Sequence, residues 1–175
     1  MPSRRSYLTG LATAGVVGFA GCSDGSDRVT GTVFRKSVHA AHSTQQEDTD
    51  WTLIAFMAGG VHDQTVLIKY DPTYLTVDTD DVEMTLTDEQ QKLLERDFGD
   101  VELSFAVVPE GADGGPVRQA RRPGFNEVRV GGEATVSAFT GDDGARYHRL
   151  HETGPRPAEL SISQLTRIRT DEAPQ

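Results

Sequence analysis

The chain has 175 residues, 36% of them apolar, and carries 27 acidic against 17 basic residues for a net charge of -10. That length allows one domain with processing and linker segments, and no run of about 18 apolar residues supplies a membrane-spanning helix. The negative field argues against nucleic acid as a partner, because such binding rests on neutralised phosphates.

Charge is unevenly placed. Every acidic residue follows position 22, whereas Arg4 and Arg5 precede it, and lysine occurs only as Lys36, Lys69 and Lys92. Such an acidic, lysine-poor surface resembles proteins of salt-loving archaea. At molar salt the screening length falls to about 3 Å, so neighbouring carboxylates repel little while still holding water.

The chain opens with Ser3-Arg4-Arg5-Ser6-Tyr7-Leu8, continues through a weakly apolar Gly/Ala-rich stretch over 8–21, and reaches Phe19-Ala20-Gly21-Cys22. This order resembles a twin-arginine signal peptide ending in a lipobox, with Phe19 where an aliphatic residue is usual. The resemblance implies that Arg4 and Arg5 are the export signal and that Cys22 is the lipid attachment site. The expected product is held on the extracytoplasmic face of the cell membrane. Cys22 is the sole cysteine, so an internal disulfide is excluded. A diacyl anchor is strong enough for stable attachment. The chain then divides into a signal peptide over 1–21, an anchored Cys and polar tether over 22–27, a β-rich domain over 28–170 and a polar tail over 171–175.

Within the domain, residues 29–38 read as a strand with Gly31 as a bend or bulge, and 39–50 as a polar loop. Residues 51–58 are apolar on both faces, as in a covered central strand. Residues 64–70 alternate and end at the Asp71-Pro72 turn. Two short runs follow, at 74–77 and 82–86. Thr87 with Gln90 makes a capping-box pattern opening a helix over 88–98, closed by Gly99. Residues 101–107 alternate as a strand, 109–125 read as a Gly/Pro/Arg loop, and 128–139 form a strand interrupted by Gly131-Gly132. A turn at 141–144 pairs it with 146–151, and 160–168 make the last strand.

Strands, a helix and further strands, in that order, resemble the small OB-like β-barrel, with one helix between its third and fourth strands. The stretch over 128–139 also resembles the Val-Gly-Asp-x-Val-x-Val strand of such barrels. The alternative is a β-sandwich with one crossover helix.

Candidate chemistry is sparse. His39 and His42 in a loop offer a weak metal-chelating pair, while His148 and His151, three apart on a strand, face opposite sides. Acidic runs at 78–83 and 142–143 lack calcium-loop spacing. Arg118, Arg121 and Arg122 form the basic cluster of the domain, suited to an anionic partner or lipid headgroups. Trp51, Tyr70, Tyr74 and Tyr147 suit either a stacking platform or a core. No catalytic or phosphate-loop motif is present, and no cofactor is implied. The reading is a non-catalytic binding or interaction module of the envelope, engaging an envelope protein or small ligand. Its alternatives are a metal-dependent enzyme or metal-binding protein using the histidines, and a structural envelope component.

Overall fold

Strand β1 (Val29–His42) organises the molecule by pairing with three neighbours. The computed structural model describes residues 28–42, 50–59, 64–156 and 160–170. Arg4, Arg5, Cys22, His62 and the tail over 171–175 lie outside the described residues. The other elements are β2 (Trp51–Gly59), β3 (Thr65–Tyr70), β4 (Thr76–Asp78), β5 (Glu83–Thr85), α1 (Asp88–Asp97), β6 (Gly99–Pro109), β7 (Val117–Ala120), α2 (Arg122–Glu127), β8 (Glu133–Thr140), β9 (Arg146–Thr153) and β10 (Ser161–Arg167).

On one edge β1 runs antiparallel to β6 from Gly31 to His42. On its other edge, residues 29–32 pair with β8 and residues 35–41 with β2. From β8 the pairing passes to β9, then in parallel to β7, and back to β6, which closes a five-stranded ring. Strands β2, β3 and β10 extend from the ring as a wing. A mainly β, OB-like barrel is therefore the architecture, and closure through β1 and β8 distinguishes it from two stacked sheets.

Three local expectations change. The helix between the third and fourth ring strands is the six-residue α2, which begins within the stretch over 109–125 read as a loop and ends at Glu127, and β7 lies wholly within that stretch. The sequence-evident helix α1 instead belongs to the segment joining β1 to β6, so the described residues hold two helices. His39 and His42 are strand residues, not loop residues.

The capping box of α1 forms as read: Thr87 Oγ1 accepts from the Gln90 amide, and Gln90 Oε1 accepts from the Thr87 amide. Strand β6 departs from simple alternation, since Leu103 to Val108 are all buried. Its polar position Ser104 meets Ser37 hydroxyl to hydroxyl at 2.9 Å, which satisfies both groups away from water.

Candidate functional site

The barrel interior is set by a bulge. Val33 pairs with Val107 and Lys36 with Phe105, although the first members are three positions apart and the second two. The extra residue near Phe34 restores the face, so Val33 and Lys36 both point inward. Lys36 is only 2% exposed. Its Nζ donates to the carbonyls of Met84 at 2.8 Å and Val128 at 2.9 Å, and lies 4.4 Å from the Phe125 ring centroid. Burial pushes the amine down to about 7; Glu83 opposes that shift and Arg129 reinforces it.

These contacts also explain α2. A six-residue helix containing Pro123 and Gly124 has little intrinsic stability, so tertiary contacts must hold it. Phe125 is fully buried, and the Asn126 side chain bonds the Leu86 amide and carbonyl at 2.9 and 2.8 Å. Lys36 ties the α2 C-cap residue Val128 to the barrel wall.

Behind Lys36, the Phe105 ring stacks on His148 with centroids 4.8 Å apart. Beyond them opens a cavity of about 350 Å³. Each ring strand contributes to its wall: Val29 from β1, Val107 from β6, Arg118 from β7, Val136 from β8, and Arg146 with His148 from β9. His148 is 7% exposed, and neither of its ring nitrogens has a hydrogen-bond partner, nor does Arg118 Nη1; all three atoms are closed to solvent. Burial pushes His148 down to about 4, the Pro116 carbonyl partly opposes this, and Arg118 adds to it. The ring is therefore neutral at pH 7, with one nitrogen a donor and the other an acceptor. The Pro116 carbonyl favours the charged ring without reaching either nitrogen in hydrogen-bonding geometry.

The parallel seam between β7 and β9 decides where the arginines fall. Gln119 pairs with Tyr147 and Ala120 with His148. Arg118 and Arg146, each one residue before the first pair, both line this cavity. Arg121 and Arg149, each one residue after the second pair, line another cavity with Glu127 on the α2 side. Arg122 instead forms an ion pair with Asp88. Arg121 and Arg122 share a further cavity beside Glu102 and Tyr147, so the sequence cluster is divided, with Arg118 apart from the other two. Arg146 and His148 join Arg118, a grouping that sequence distance conceals.

Another cavity, of about 390 Å³, is lined by Glu83, Arg129 and Arg156. Both its arginines are engaged, Arg129 with Glu83 and Arg156 with the Asp81 carbonyl, and Glu127 and Glu133 add further carboxylates to its lining.

The remaining sequence candidates are dispersed. His42 rests on Phe98 at 5.1 Å, and half-buried His39 has its basicity lowered by burial, with Glu102 opposing and Arg35 reinforcing. Among the described residues, no three His, Cys, Asp or Glu side chains gather to hold a metal. Asp78 and Asp143 accept backbone amides within their own turns. Tyr70 is core, Tyr74 packs edge-on against Phe98, Tyr147 stacks on Phe139, and Trp51 is exposed, so they form no common platform.

One pair was not foreseen: Ser137 Oγ lies 2.8 Å from His151 Nε2, a nucleophile-to-base distance. Ser137 is 2% exposed, and alternation along β8 turns its side chain away from the face of Ala138 and its partner His148. Ser137 is among the residues lining the cavity of Arg118 and His148, and its hydroxyl there is almost wholly buried and engaged by His151.

Compared with known proteins, the chain matches no protein-family model, no curated protein and no solved structure.

Proposed function

We propose that this chain is an exported, lipid-anchored binding module of the cell envelope, which holds a small ligand in the cavity between Val29 and His148 without transforming it. The N-terminal motif of Arg4, Arg5 and Cys22 supports the address. The observation that carries the binding role is the set of buried, unpartnered nitrogens on His148 and Arg118. A buried polar group without a partner costs about 1–3 kcal/mol, and a ligand recovers that cost when the Arg118 and His148 side chains, now closed to solvent, turn toward it. Small-ligand sites have this form, mostly apolar walls with a few convergent polar groups.

Two measurements test this reading on the full chain. Cys22→Ser should shift the protein from membrane to medium, and Arg4→Lys with Arg5→Lys should retain it inside the cell. Retention of the Cys22→Ser protein in the membrane would refute the anchor. For the cavity, Val29 is 37% exposed at the rim, so Val29→Trp should obstruct entry without disturbing the core. Ligand-dependent rises in melting temperature seen with the parent should vanish in this variant. Undiminished rises would remove the cavity from consideration.

A further inference from the structure

We propose that this cavity is an oxyanion site, which receives the carboxylate or phosphate of a small amphiphilic ligand between Arg118 and Arg146; the inference rests on the cavity being the ligand site.

The first argument is the seam. Like charges set close together on a sheet are destabilising, and Arg118 and Arg146, each one residue before the Gln119–Tyr147 pair, line the same cavity. In a chain with 27 acidic residues, a carboxylate to separate them would be easy to supply. Arg96, Arg122 and Arg129 each have one. Among the described residues, no carboxylate bridges Arg118 or Arg146. A planar guanidinium offers a fork of N–H donors that matches the paired oxygens of a carboxylate or phosphate. An anion between the two arginines relieves their repulsion, whereas a cation is repelled and a neutral ligand leaves the repulsion in place.

The second argument is the orphaned donor capacity. Arg118 Nη1 has no partner, and the neutral His148 ring holds one N–H with none. Both residues line the cavity; their orphaned nitrogens are closed to solvent, so an oxyanion gains them as donors by drawing the two side chains toward it.

The third argument is the rest of the wall. Val29, Val107 and Val136 are apolar and come from three different strands. They suit a carbon chain attached to the anionic group, and about 350 Å³ lies at the small end of ligand cavities. The wall therefore selects an amphiphilic anion over a fully hydrated one.

Such a group has two sources, a free metabolite or a lipid headgroup. Val29 follows Cys22 by seven residues, a reach of at most about 25 Å. A chain anchored at Cys22 thus keeps the cavity mouth within range of headgroup phosphates.

The test uses full-length protein in a neutral detergent, at constant potassium chloride so that chloride competes equally throughout. Butyrate, butyramide and inorganic phosphate are titrated calorimetrically. Butyrate or phosphate should saturate a single site. Butyramide, of the same shape without the charge, should bind about tenfold more weakly or less. Arg118→Gln and Arg146→Gln should each weaken the anion about tenfold or more. Arg146 is exposed, so its variant tests the idea even where Arg118→Gln affects folding. The Cys22→Ser chain is then mixed with phosphatidylglycerol vesicles. Co-sedimentation that Arg146→Gln abolishes assigns the oxyanion to lipid; butyrate binding without co-sedimentation assigns it to a free solute. Equal affinity for butyrate and butyramide, unchanged affinity in both arginine variants, or no saturation by either anion overturns the inference. Equal affinities that Val29→Trp abolishes would leave the cavity as a ligand site and remove only its preference for anions.

Discussion

Lys36 and Phe125 meet inside the barrel, the ammonium nitrogen 4.4 Å from the ring centroid, with α2 brought down over the wall by the contact. Because burial lowers the amine to about 7, the pH dependence has a definite sign. Below that value both folded and unfolded chains carry the charge, and the fold bears the full cost of burying it. Between about 7 and the ordinary lysine value of about 10.4 the unfolded chain holds a proton that the folded chain lacks. Stability therefore rises with pH across that window, by at most about 1.4 kcal/mol per unit. The neutral amine keeps two N–H donors, enough for the Met84 and Val128 carbonyls. Denaturant melts of the parent and Lys36→Met across this window should show the deficit of the variant growing as pH rises. A constant difference would mean that Lys36 keeps its proton throughout.

His148 gives the corresponding effect in acid. Its basicity is lowered to about 4, first by burial, then by Arg118, with the Pro116 carbonyl opposing. The unfolded ring takes up a proton near pH 6.5, so stability falls as pH drops from about 6.5 toward 4. The charged neighbours are Arg118 and Arg146 on one side, Arg121, Arg149 and Glu127 on the other. Of these, Arg118 is the charge that reinforces the neutral state. His148→Phe preserves an aromatic partner for Phe105 and removes the titrating nitrogens, so its loss of stability in this range should be shallower than that of the parent. Parallel acid limbs in thermal melts would contradict the assignment.

Some of this was legible in the chain. Thr87 and Gln90 act locally, three residues apart, and their pattern gives α1 its start. The strands on either side follow from alternation and turn residues, and the OB-like order follows from their sequence. What escaped reading depends on partners far along the chain. Arg-Pro-Gly-Phe-Asn-Glu has the composition of a loop, and it becomes α2 because Phe125 is buried and Asn126 replaces a missing backbone partner for Leu86. Lys36 sits in a strand where nothing nearby marks it as internal, since the bulge at Phe34 inverts the simple alternation. The Arg118–Arg146 grouping depends on a two-pair parallel contact between β7 and β9, which no local pattern announces. Gly31, read as a bend or bulge, is a point where the β6 backbone approaches closely.

Asp71 links the turn after β3 to the residues following β10. It is 3% exposed; Oδ1 accepts the Thr73 amide at 2.9 Å, and Oδ2 accepts the Thr170 amide and hydroxyl at 2.9 and 3.0 Å. Burial alone would raise its pKa, but the hydrogen bonds from Thr73 and Thr170 outweigh that and hold it below the ordinary carboxylate value. Its contribution is present above the unfolded-state pKa near 3.9 and is lost as pH falls through the lower folded value. Asp71→Ala should cost about 1.5–3 kcal/mol, the usual worth of hydrogen bonds to a charged group. It should also loosen β10 before the ring, visible as faster amide exchange over Ser161–Arg167. Uniform acceleration across the whole sheet would contradict a local role.

Gly31 is where the ring closes, since it pairs with Pro109 on β6 and with Ala134 on β8. A Cβ built there would run into the Val108 carbonyl oxygen and the backbone around it. Those atoms belong to a paired strand and cannot move aside as a flexible side chain would. Gly31→Ala should therefore cost about 1–3 kcal/mol or more through overpacking, despite improving backbone propensity. Gly114 supplies the control, because a Cβ there meets nothing within 4 Å and its φ is not left-handed. Gly114→Ala should be neutral or stabilising by up to about 1 kcal/mol, through reduced entropy of the unfolded chain. The two variants change composition identically, so a difference in their melting temperatures isolates the contact at Val108. Indistinguishable melting would show that β1 and β6 can separate at this point, and the closed ring would then not be the state that unfolds.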